Sequence, residues 1–236
     1  TDVGRFGDEN NHAGYITYLL EHHRLPDFDP RDHWQFYHPP LHHAISAVWL
    51  WLSENVFGIG SEVAQESLQT LTLFYATAVI ITAYRILRHF KLEGPALYFP
   101  LAVIAFHPSF ILFSGSINND VLSVAFLLGA VLWTLKWYEK QTWEGILKIA
   151  LYMGLGMMTK LSVALAAFSI GAVFLVVLVR QCRAKNWRIF GQYGAFLGIC
   201  APLGLWYPIR NLVRFGVPLN YVQEMSVTVS YTHLTL

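Results

Sequence analysis

Residues 161–179 read LSVALAAFSIGAVFLVVLV and contain no Asp, Glu, Lys or Arg. A transmembrane helix needs about 20 mostly apolar residues, because it rises about 1.5 Å per residue and must cross about 30 Å of hydrocarbon. The segment therefore predicts a helix that spans a membrane. Four other stretches without these charged residues repeat the pattern, at Ser67–Tyr84, Gly94–Asn119, Val121–Leu135 and Ile189–Ile209.

The composition of the whole chain excludes several classes of protein. Only 13% of the 236 residues are charged and 55% are hydrophobic, whereas about 25% are charged in ordinary globular chains. Lipid must therefore be the solvent for much of the chain. This excludes a disordered protein, a nucleic-acid binder with a basic face and a small disulfide scaffold. Cys182 and Cys200 lack the spacing of a metal site, and we interpret both as packing residues.

The apolar pattern predicts an all-α polytopic membrane protein with about six transmembrane helices. One of them, at about 143–159, carries Glu144 and Lys148 near one end, where their side chains can reach the headgroups. Gly194 and Gly198 predict a close contact with another helix. The six predicted spans lie at about 67–87, 97–114, 121–138, 143–159, 161–180 and 190–207.

The spans divide the chain into three regions. Residues 1–66 are expected to form a first extracytoplasmic loop with interfacial helices, and 67–207 the transmembrane bundle. Residues 208–236 would begin a later extracytoplasmic loop, unless the polar tail from Ser226 is an artefact. The sequence starts at Thr1 without a Met, and we expect it to be an amino-terminal fragment.

Basic residues predict the orientation of the bundle, because cytoplasmic loops carry an excess of Lys and Arg. Three basic loops alternate correctly with six spans if all three are cytoplasmic, and Ser114–Asn119 and Thr159–Lys160 then lie outside. The segment His33–Ser53 allows two interpretations, a further span or a helix in the membrane interface, and charge counting slightly favours the span. The basic loops contain Arg85, Arg88 and Lys91; Lys136, Lys140 and Lys148; and Arg180, Arg183, Lys185 and Arg188.

Two adjacent carboxylates, Asp8 and Glu9, precede a segment that is predicted to be helical and amphipathic over Ala13–His23. Acidic residues favour the first turn of a helix because of the helix dipole, so the pair can simply mark a helix start. Alternatively, a carboxylate at the membrane surface can act as a general base that takes a proton from an attacking hydroxyl.

A His-Pro-Pro-Leu sequence at 38–41 is a second candidate. Pro39 keeps His38 out of the helical region, and a proline suits the first turn of a helix that would run to about Val56. His38 would then lie at a helix entrance, where its ring can face an anion. A zinc site with His42 is an alternative that this geometry disfavours, and an interfacial histidine without a chemical role is another.

Three further polar positions lie on the predicted outer side. Asp120, after Asn119, either caps the next helix or points into a cleft. Lys160 either extends toward the headgroups or contacts a phosphate. Arg210 follows a span on the side that should carry few basic residues, and its planar guanidinium either anchors the helix or binds a phosphate through two hydrogen bonds.

Taken together, these residues resemble the class-C (GT-C fold) polytopic membrane glycosyltransferases, which use lipid-linked sugars. The branch of the protein O-mannosyltransferases and aminoarabinose transferases is the most similar. The resemblance covers residues 8–219, and it rests on Asp8-Glu9, His38 to Leu41, Asn119-Asp120, Thr159-Lys160 and the segment from Trp206 to Gly216.

The resemblance implies a glycosyltransferase that moves a sugar from a polyprenyl-phosphate donor to an acceptor hydroxyl, with inversion, on the extracytoplasmic face. By position, Asp8 would be the catalytic base and Glu9 its neighbour. His38, Lys160 and Arg210 would bind the donor phosphate and stabilise the negative charge that grows on it.

The resemblance implies no required cofactor, although some relatives of this fold use a divalent cation near the loop acids. Asp8 and Asp120 would supply oxygen ligands to such an ion, with Asn119 in the same cleft. The expected partners are the lipid-linked donor, membrane lipid and an acceptor of unknown type, and the expected location is a bacterial inner membrane. A non-catalytic membrane scaffold and a transporter remain alternatives; a transporter would place charges within broken helices.

Overall fold

A computed structural model of the chain describes residues 9–219, 221 and 222, with side chains from His12 onward. All regular secondary structure in these residues is helical, which confirms the predicted all-α class. The tail from Ser226 lies outside the described residues. The helices are α1 (Glu9–His22), α2 (Leu41–Asn55), α3 (Ser61–Glu66), α4 (Leu68–His89), α5 (Pro95–Ala105), α6 (Pro108–Ser114), α7 (Asp120–Glu139), α8 (Trp143–Thr159), a 3-10 turn (Leu161–Leu165), α9 (Ala166–Arg183) and α10 (Arg188–Phe215).

Four helical stretches are long and apolar enough to cross a membrane, and α5 with α6 adds a fifth if the pair is one span. The prediction was about six. The remaining predicted span, α8, is helical over the predicted residues but has only 17 of them, which reach about 26 Å and lie at the short end for a span. The four stretches are Ser61–His89, Asp120–Glu139, Leu161–Arg183 and Arg188–Phe215.

The span predicted at about 97–114 is broken in the structure into α5 and α6, with a bend of 58° between them. Pro108 is the physical reason. A proline disfavours helical geometry at the preceding residue, and His107 accordingly has φ −63° and ψ 126°. The span that follows Lys160 also begins with a tight 3-10 turn rather than with regular α-helix.

Helix α8 lies at the centre of the bundle, between α7 and α10. Trp137, Ile149 and Met153 are fully enclosed there, and the Trp137 indole N–H donates to Gln192 Oε1 at 2.7 Å. Helices α8 and α10 approach closely at Gly154, where an added Cβ would lie 2.8 Å from Leu203 Cβ.

The predicted close contact at Gly194 and Gly198 is wrong, since no described atom of another element comes within 4 Å of a Cβ added at either. The two glycines lie away from the contact with α8, which α10 makes through the face that carries Cys200, Leu203 and Gly204.

The first region packs as a separate layer against the bundle. Helix α1 lies on α2, and α2 contacts α4 and α8. Ile16, Ala47, Leu50 and Leu68 form the buried apolar contact between these helices. Helix α2 begins directly after Pro40 and has 15 residues, a rise of about 22 Å that is too short for a span. The structure therefore favours the interfacial interpretation of this segment over the spanning one.

Candidate active site

A cavity of about 760 Å³ opens where several separate parts of the chain meet. Its walls come from α1, from the loop before α2, from the turns that precede α7 and follow α8, and from the end of α10 with the residues after it. The polar side chains that line it are His12, Gln35, Tyr37, His38, Asn119, Asp120, Lys160, Ser162, Asn211 and Tyr221. Four residues that the sequence singled out, His38, Asn119, Asp120 and Lys160, are thus brought together.

The apolar part of the cavity lies on the side of the 3-10 turn and α9. Leu161, Ala164, Leu165 and Phe168 line it. The side chains of Leu165 and Phe168 are 68% and 81% exposed, in a stretch that is apolar enough to cross a membrane. The cavity therefore has a polar end at the loops and an apolar wall that continues into the lipid-facing surface.

Asp120 and Lys160 form the charged centre of the polar end. Lys160 Nζ lies 2.5 Å from Asp120 Oδ1, and both side chains remain partly exposed to the cavity. The Asn119 amide donates to the carbonyl of Thr159 at 3.2 Å, which holds the start of α7 against the end of α8. The Lys160 ammonium and the Asp120 carboxylate thus lie side by side. An anion that enters the cavity could replace Asp120 as the partner of the ammonium.

Asn118, which the sequence analysis did not single out, caps α7. Its Oδ1 accepts the backbone N–H groups of Asp120 at 2.9 Å and of Val121 at 3.3 Å. The capping interpretation of Asp120 is therefore unnecessary, because Asn118 does the capping and the Asp120 carboxylate points toward Lys160 and the cavity.

His38 precedes α2 in a non-helical conformation, as the sequence predicted. Its ring contacts that of Tyr37 at a tilt of 32°, with centroids 4.2 Å apart, and stacks on the ring of His12 at 6.0 Å. Burial lowers the pKa of His38 well below its ordinary value, and the nearby His12 and Lys160 lower it further. A neutral imidazole beside Lys160 can donate one hydrogen bond to an anion without adding charge.

Behind His38, three more histidines form a buried cluster. His12 Nδ1 and His43 Nε2 are 2.8 Å apart and hydrogen-bonded, and the His42 ring lies 6.0 Å from that of His12. Among the described residues, no three His, Cys, Asp or Glu side chains are arranged to hold a metal ion. The zinc alternative for His38 and His42 therefore finds no support in the geometry, and a site that involves Asp8 falls outside the described residues.

Arg210 lies at the same end of the molecule but does not line the cavity in the described residues. Its guanidinium donates to the backbone carbonyl of Pro26 and to Asn211 Oδ1, and it lies over the rings of Tyr207 and Phe215. The structure thus places Arg210 against the first loop, one residue away from the cavity-lining Asn211.

Further contacts join the first loop to the end of α10. Arg31 donates to the carbonyl of Phe215 at 2.9 Å, and Arg214 pairs with Asp27 at 2.7 Å. The Tyr207 hydroxyl donates to the carbonyl of Phe36 at 2.8 Å and also contacts the Tyr15 hydroxyl at 3.2 Å. The first loop and α10, which each form part of the cavity wall, are therefore bonded to each other.

The predicted acids fall at the edge of the described chain. Asp8 lies outside it, and of Glu9 only the backbone is described, as the first residue of α1. The prediction of a helix start at this pair falls at the limit of the described residues and stays a prediction. One turn later in α1, His12 lines the cavity.

His12, Gln35, Tyr37 and Asn211 also line the cavity, although the sequence pattern did not predict them as site residues. His12 lies between the acidic pair and the predicted helix at Ala13–His23, and Asn211 follows Arg210, so both had a signal in their neighbours. Gln35 and Tyr37 had none, because their positions depend on how the first loop folds onto α10.

Comparison with known families identifies the chain. The model of the dolichyl-phosphate-mannose-protein mannosyltransferase family matches residues 38–206, more than two thirds of the sequence. No curated protein and no solved structure gives a significant match. The match includes His38, Asn119, Asp120 and Lys160, all on the cavity wall. The chain belongs to the dolichyl-phosphate-mannose-protein mannosyltransferase family and is an integral membrane glycosyltransferase of the mannosyltransferase type.

Proposed function

We propose that the protein transfers a sugar from a polyprenyl-phosphate donor to an acceptor hydroxyl, with inversion at the anomeric carbon. The cavity carries this proposal, because it joins Lys160 and His38 at a polar end to Leu165 and Phe168 at an apolar wall. A lipid-linked sugar phosphate has the same two-part chemistry. Its phosphate would lie at the polar end and its isoprenoid chain along α9.

In the proposed reaction, the carboxylate of Asp8 takes the proton of the acceptor hydroxyl. The acceptor oxygen forms a bond to the anomeric carbon while the bond from that carbon to the donor phosphate oxygen breaks, through an oxocarbenium-like state. The bonding electrons leave with the lipid phosphate. Glu9 stands next to Asp8 in the sequence and would be its neighbour in the acidic pair.

Lys160 would stabilise the charge that develops on the departing phosphate. In this structure its ammonium group pairs with Asp120, so we propose that the donor phosphate takes over part of this pairing. His38 would donate a hydrogen bond to the same phosphate, with Asn119 at the cavity wall.

Arg210 remains a candidate for the donor phosphate, but its guanidinium would have to leave the carbonyl of Pro26 to reach it. We therefore propose that Arg210 first positions the loop. Asp8 and Asp120 would supply the oxygen ligands of a divalent cation. The proposed reaction does not require this ion.

The distribution of charge supports an extracytoplasmic cavity. The three basic loops lie together at the end of the bundle opposite the cavity, where His89 pairs with Glu139 at 3.5 Å and Gln181 donates to Gln141 at 2.9 Å. Because basic loops face the cytoplasm, the cavity would face the other side, which in a bacterial cell is the outer surface of the inner membrane.

Transfer of a radiolabelled sugar from polyprenyl-phosphate mannose in membranes tests the proposal, with variants made in the full-length protein. Asp8→Asn should lower transfer about 100-fold or more, the usual contribution of a general base. Lys160→Met should lower it about tenfold to 100-fold, as for a lost charged hydrogen bond, and Lys160→Arg should restore part of it.

Arg85→Gln is the matched control, since it removes one exposed charge at the opposite end of the bundle, and it should leave transfer unchanged. Wild-type turnover in Asp8→Asn would remove Asp8 as the base. If the wild-type protein gave no labelled product while remaining in the membrane, the scaffold alternative would replace the transferase.

A further inference from the structure

Helix α2 differs from a surface helix of a water-soluble protein because its outward face is apolar. Its outward stripe contains Ala44, Val48 and Trp51, and Val48 and Trp51 are 58% and 46% exposed. Its buried face is mixed: Ala47 and Leu50 belong to the apolar contact with the neighbouring helices, and the polar side chains of His42, His43, Ser46 and Ser53 are buried on the same helix. Exposed apolar surface is unfavourable in water and favourable in hydrocarbon, so this stripe is built to face lipid.

A groove of about 500 Å³ runs between α1 and this stripe. None of the residues that line the groove also lines the cavity. The apolar lining residues are Leu19, Leu20, Leu25, Ala44, Ala47, Val48 and Trp51. The groove therefore has mostly apolar walls and lies on the surface of a membrane protein.

Two basic residues, His23 and Arg24, line the groove where α1 has ended. Arg24 is exposed and makes no hydrogen bond or ion pair within the described part of the chain. The acidic residues of these two helices whose side chains are described, Glu21 and Glu54, do not line the groove. The groove thus offers an unpaired guanidinium at its edge, a group that binds phosphate through paired hydrogen bonds.

We propose that this groove binds one anionic phospholipid of the surrounding bilayer. An acyl chain lies along the apolar walls between α1 and α2, and the headgroup phosphate pairs with Arg24. The bilayer supplies this ligand because the outward stripe of α2 requires hydrocarbon contact, and the charge of Arg24 selects an anionic headgroup over a zwitterionic one. The site is independent of sugar transfer and gives the first region a fixed depth in the membrane.

Trp51 provides a probe inside the groove. The full chain is placed in phosphatidylcholine bilayers that contain a minor fraction of phosphatidylglycerol, and bromine atoms on the acyl chains of one lipid or the other quench any tryptophan they touch. The component that belongs to Trp51 is obtained by subtracting the signal of Trp51→Phe. We expect bromine on phosphatidylglycerol to quench this component more than its bulk fraction predicts, by about fivefold for one basic residue near an anionic lipid.

Arg24→Gln should abolish this enrichment, and Arg24→Lys should keep part of it. Arg85→Gln is the control, because it removes one exposed charge far from the groove and should keep the full enrichment. Quenching in proportion to bulk composition in the wild-type protein, or enrichment that persists in Arg24→Gln, would overturn the headgroup site. Absence of quenching by either lipid would overturn the placement of the groove in the bilayer. The two lipids are compared on protein that keeps Arg24, so this part of the test remains valid even if Arg24→Gln fails to fold.

Discussion

At the scale of single residues, His42 is a fully buried polar side chain near the cavity. Its side chain is 1% exposed, and neither ring nitrogen has a hydrogen-bond partner among the described residues. The rings of His12, His43 and Tyr75 surround it at centroid distances between 5.3 and 6.2 Å. Burial lowers the pKa of His42 to about 3, because a charged imidazole here would lose its hydration without gaining a counter-ion.

This burial makes the stability of the first region depend on pH. In the unfolded chain His42 takes up a proton below about pH 6.5, whereas in the folded protein it stays neutral down to about pH 3. Its contribution to stability is thus complete above about pH 6.5 and is lost progressively as the pH falls, at up to about 1.4 kcal/mol per pH unit. His38 and His43, whose pKa values are also lowered by burial, act in the same direction.

Thermal unfolding in detergent between pH 7.5 and pH 5 measures this effect, and the midpoint should fall with pH. In His42→Leu the fall should be smaller, because one titrating group is gone and an apolar side chain of similar size needs no partner. His22→Gln, at the exposed end of α1, should behave as wild type. A fall of equal size in His42→Leu and in wild type would contradict the assignment.

At the scale of helices, the sequence predicts most boundaries because apolar length and proline positions are local signals. The predicted starts of α2, α7 and α8 lie within a few residues of the observed ones. The break at His107 had a local signal in Pro108, but the apolar run concealed it. Which faces of the helices touch is not local, and the sequence placed the close glycine contact of α10 at the wrong glycines.

The same distinction between local signals and tertiary contacts explains which site residues the sequence places together. Asn119, Asp120, Lys160 and Asn211 each lie at the end or the start of a predicted span, so the alternation of spans already places them on one side of the membrane. His38 and Gln35 meet them only because the first loop is bonded to α10. Such contacts follow from tertiary packing, which the pattern of a single segment does not contain.

The contact between α8 and α10 can be tested at one glycine. A Cβ at Gly154 would lie 2.8 Å from Leu203 Cβ and 3.4 Å from the backbone of Cys200, so Gly154→Ala must push the helices apart. We expect a loss of about 1–3 kcal/mol, as for other overpacked cores.

Gly198→Ala on α10 is the matched control, because an added Cβ there meets no neighbour within 4 Å. It should leave the stability unchanged or slightly raise it, since alanine favours helix. Both variants are compared by unfolding of the detergent-solubilised protein in a denaturing detergent. Equal stabilities of Gly154→Ala and wild type would show that α8 and α10 are not in tight contact at this position.

At the scale of the whole molecule, the two ends of the bundle differ in chemistry. One end collects the basic loops, which interact through His89 with Glu139 and through Gln181 with Gln141. The other end holds the cavity and the first loop, which is bonded to α10 through Arg31 and Arg214. In the proposed reaction, a donor that enters from lipid and an acceptor that enters from water would therefore meet at the second end.

This polarity predicts which thiols an impermeant maleimide reaches in intact cells. With Cys182 replaced by Ser, Asp32→Cys in the first loop should react from outside without permeabilisation, because Asp32 is exposed at the cavity end. Lys140→Cys in the loop between α7 and α8 should react only after the cells are opened. Cys200 is buried and should stay unlabelled in both. The reverse pattern would place the cavity in the cytoplasm, where the basic loops would contradict the positive-inside rule, and the proposed extracytoplasmic transfer would have to be abandoned.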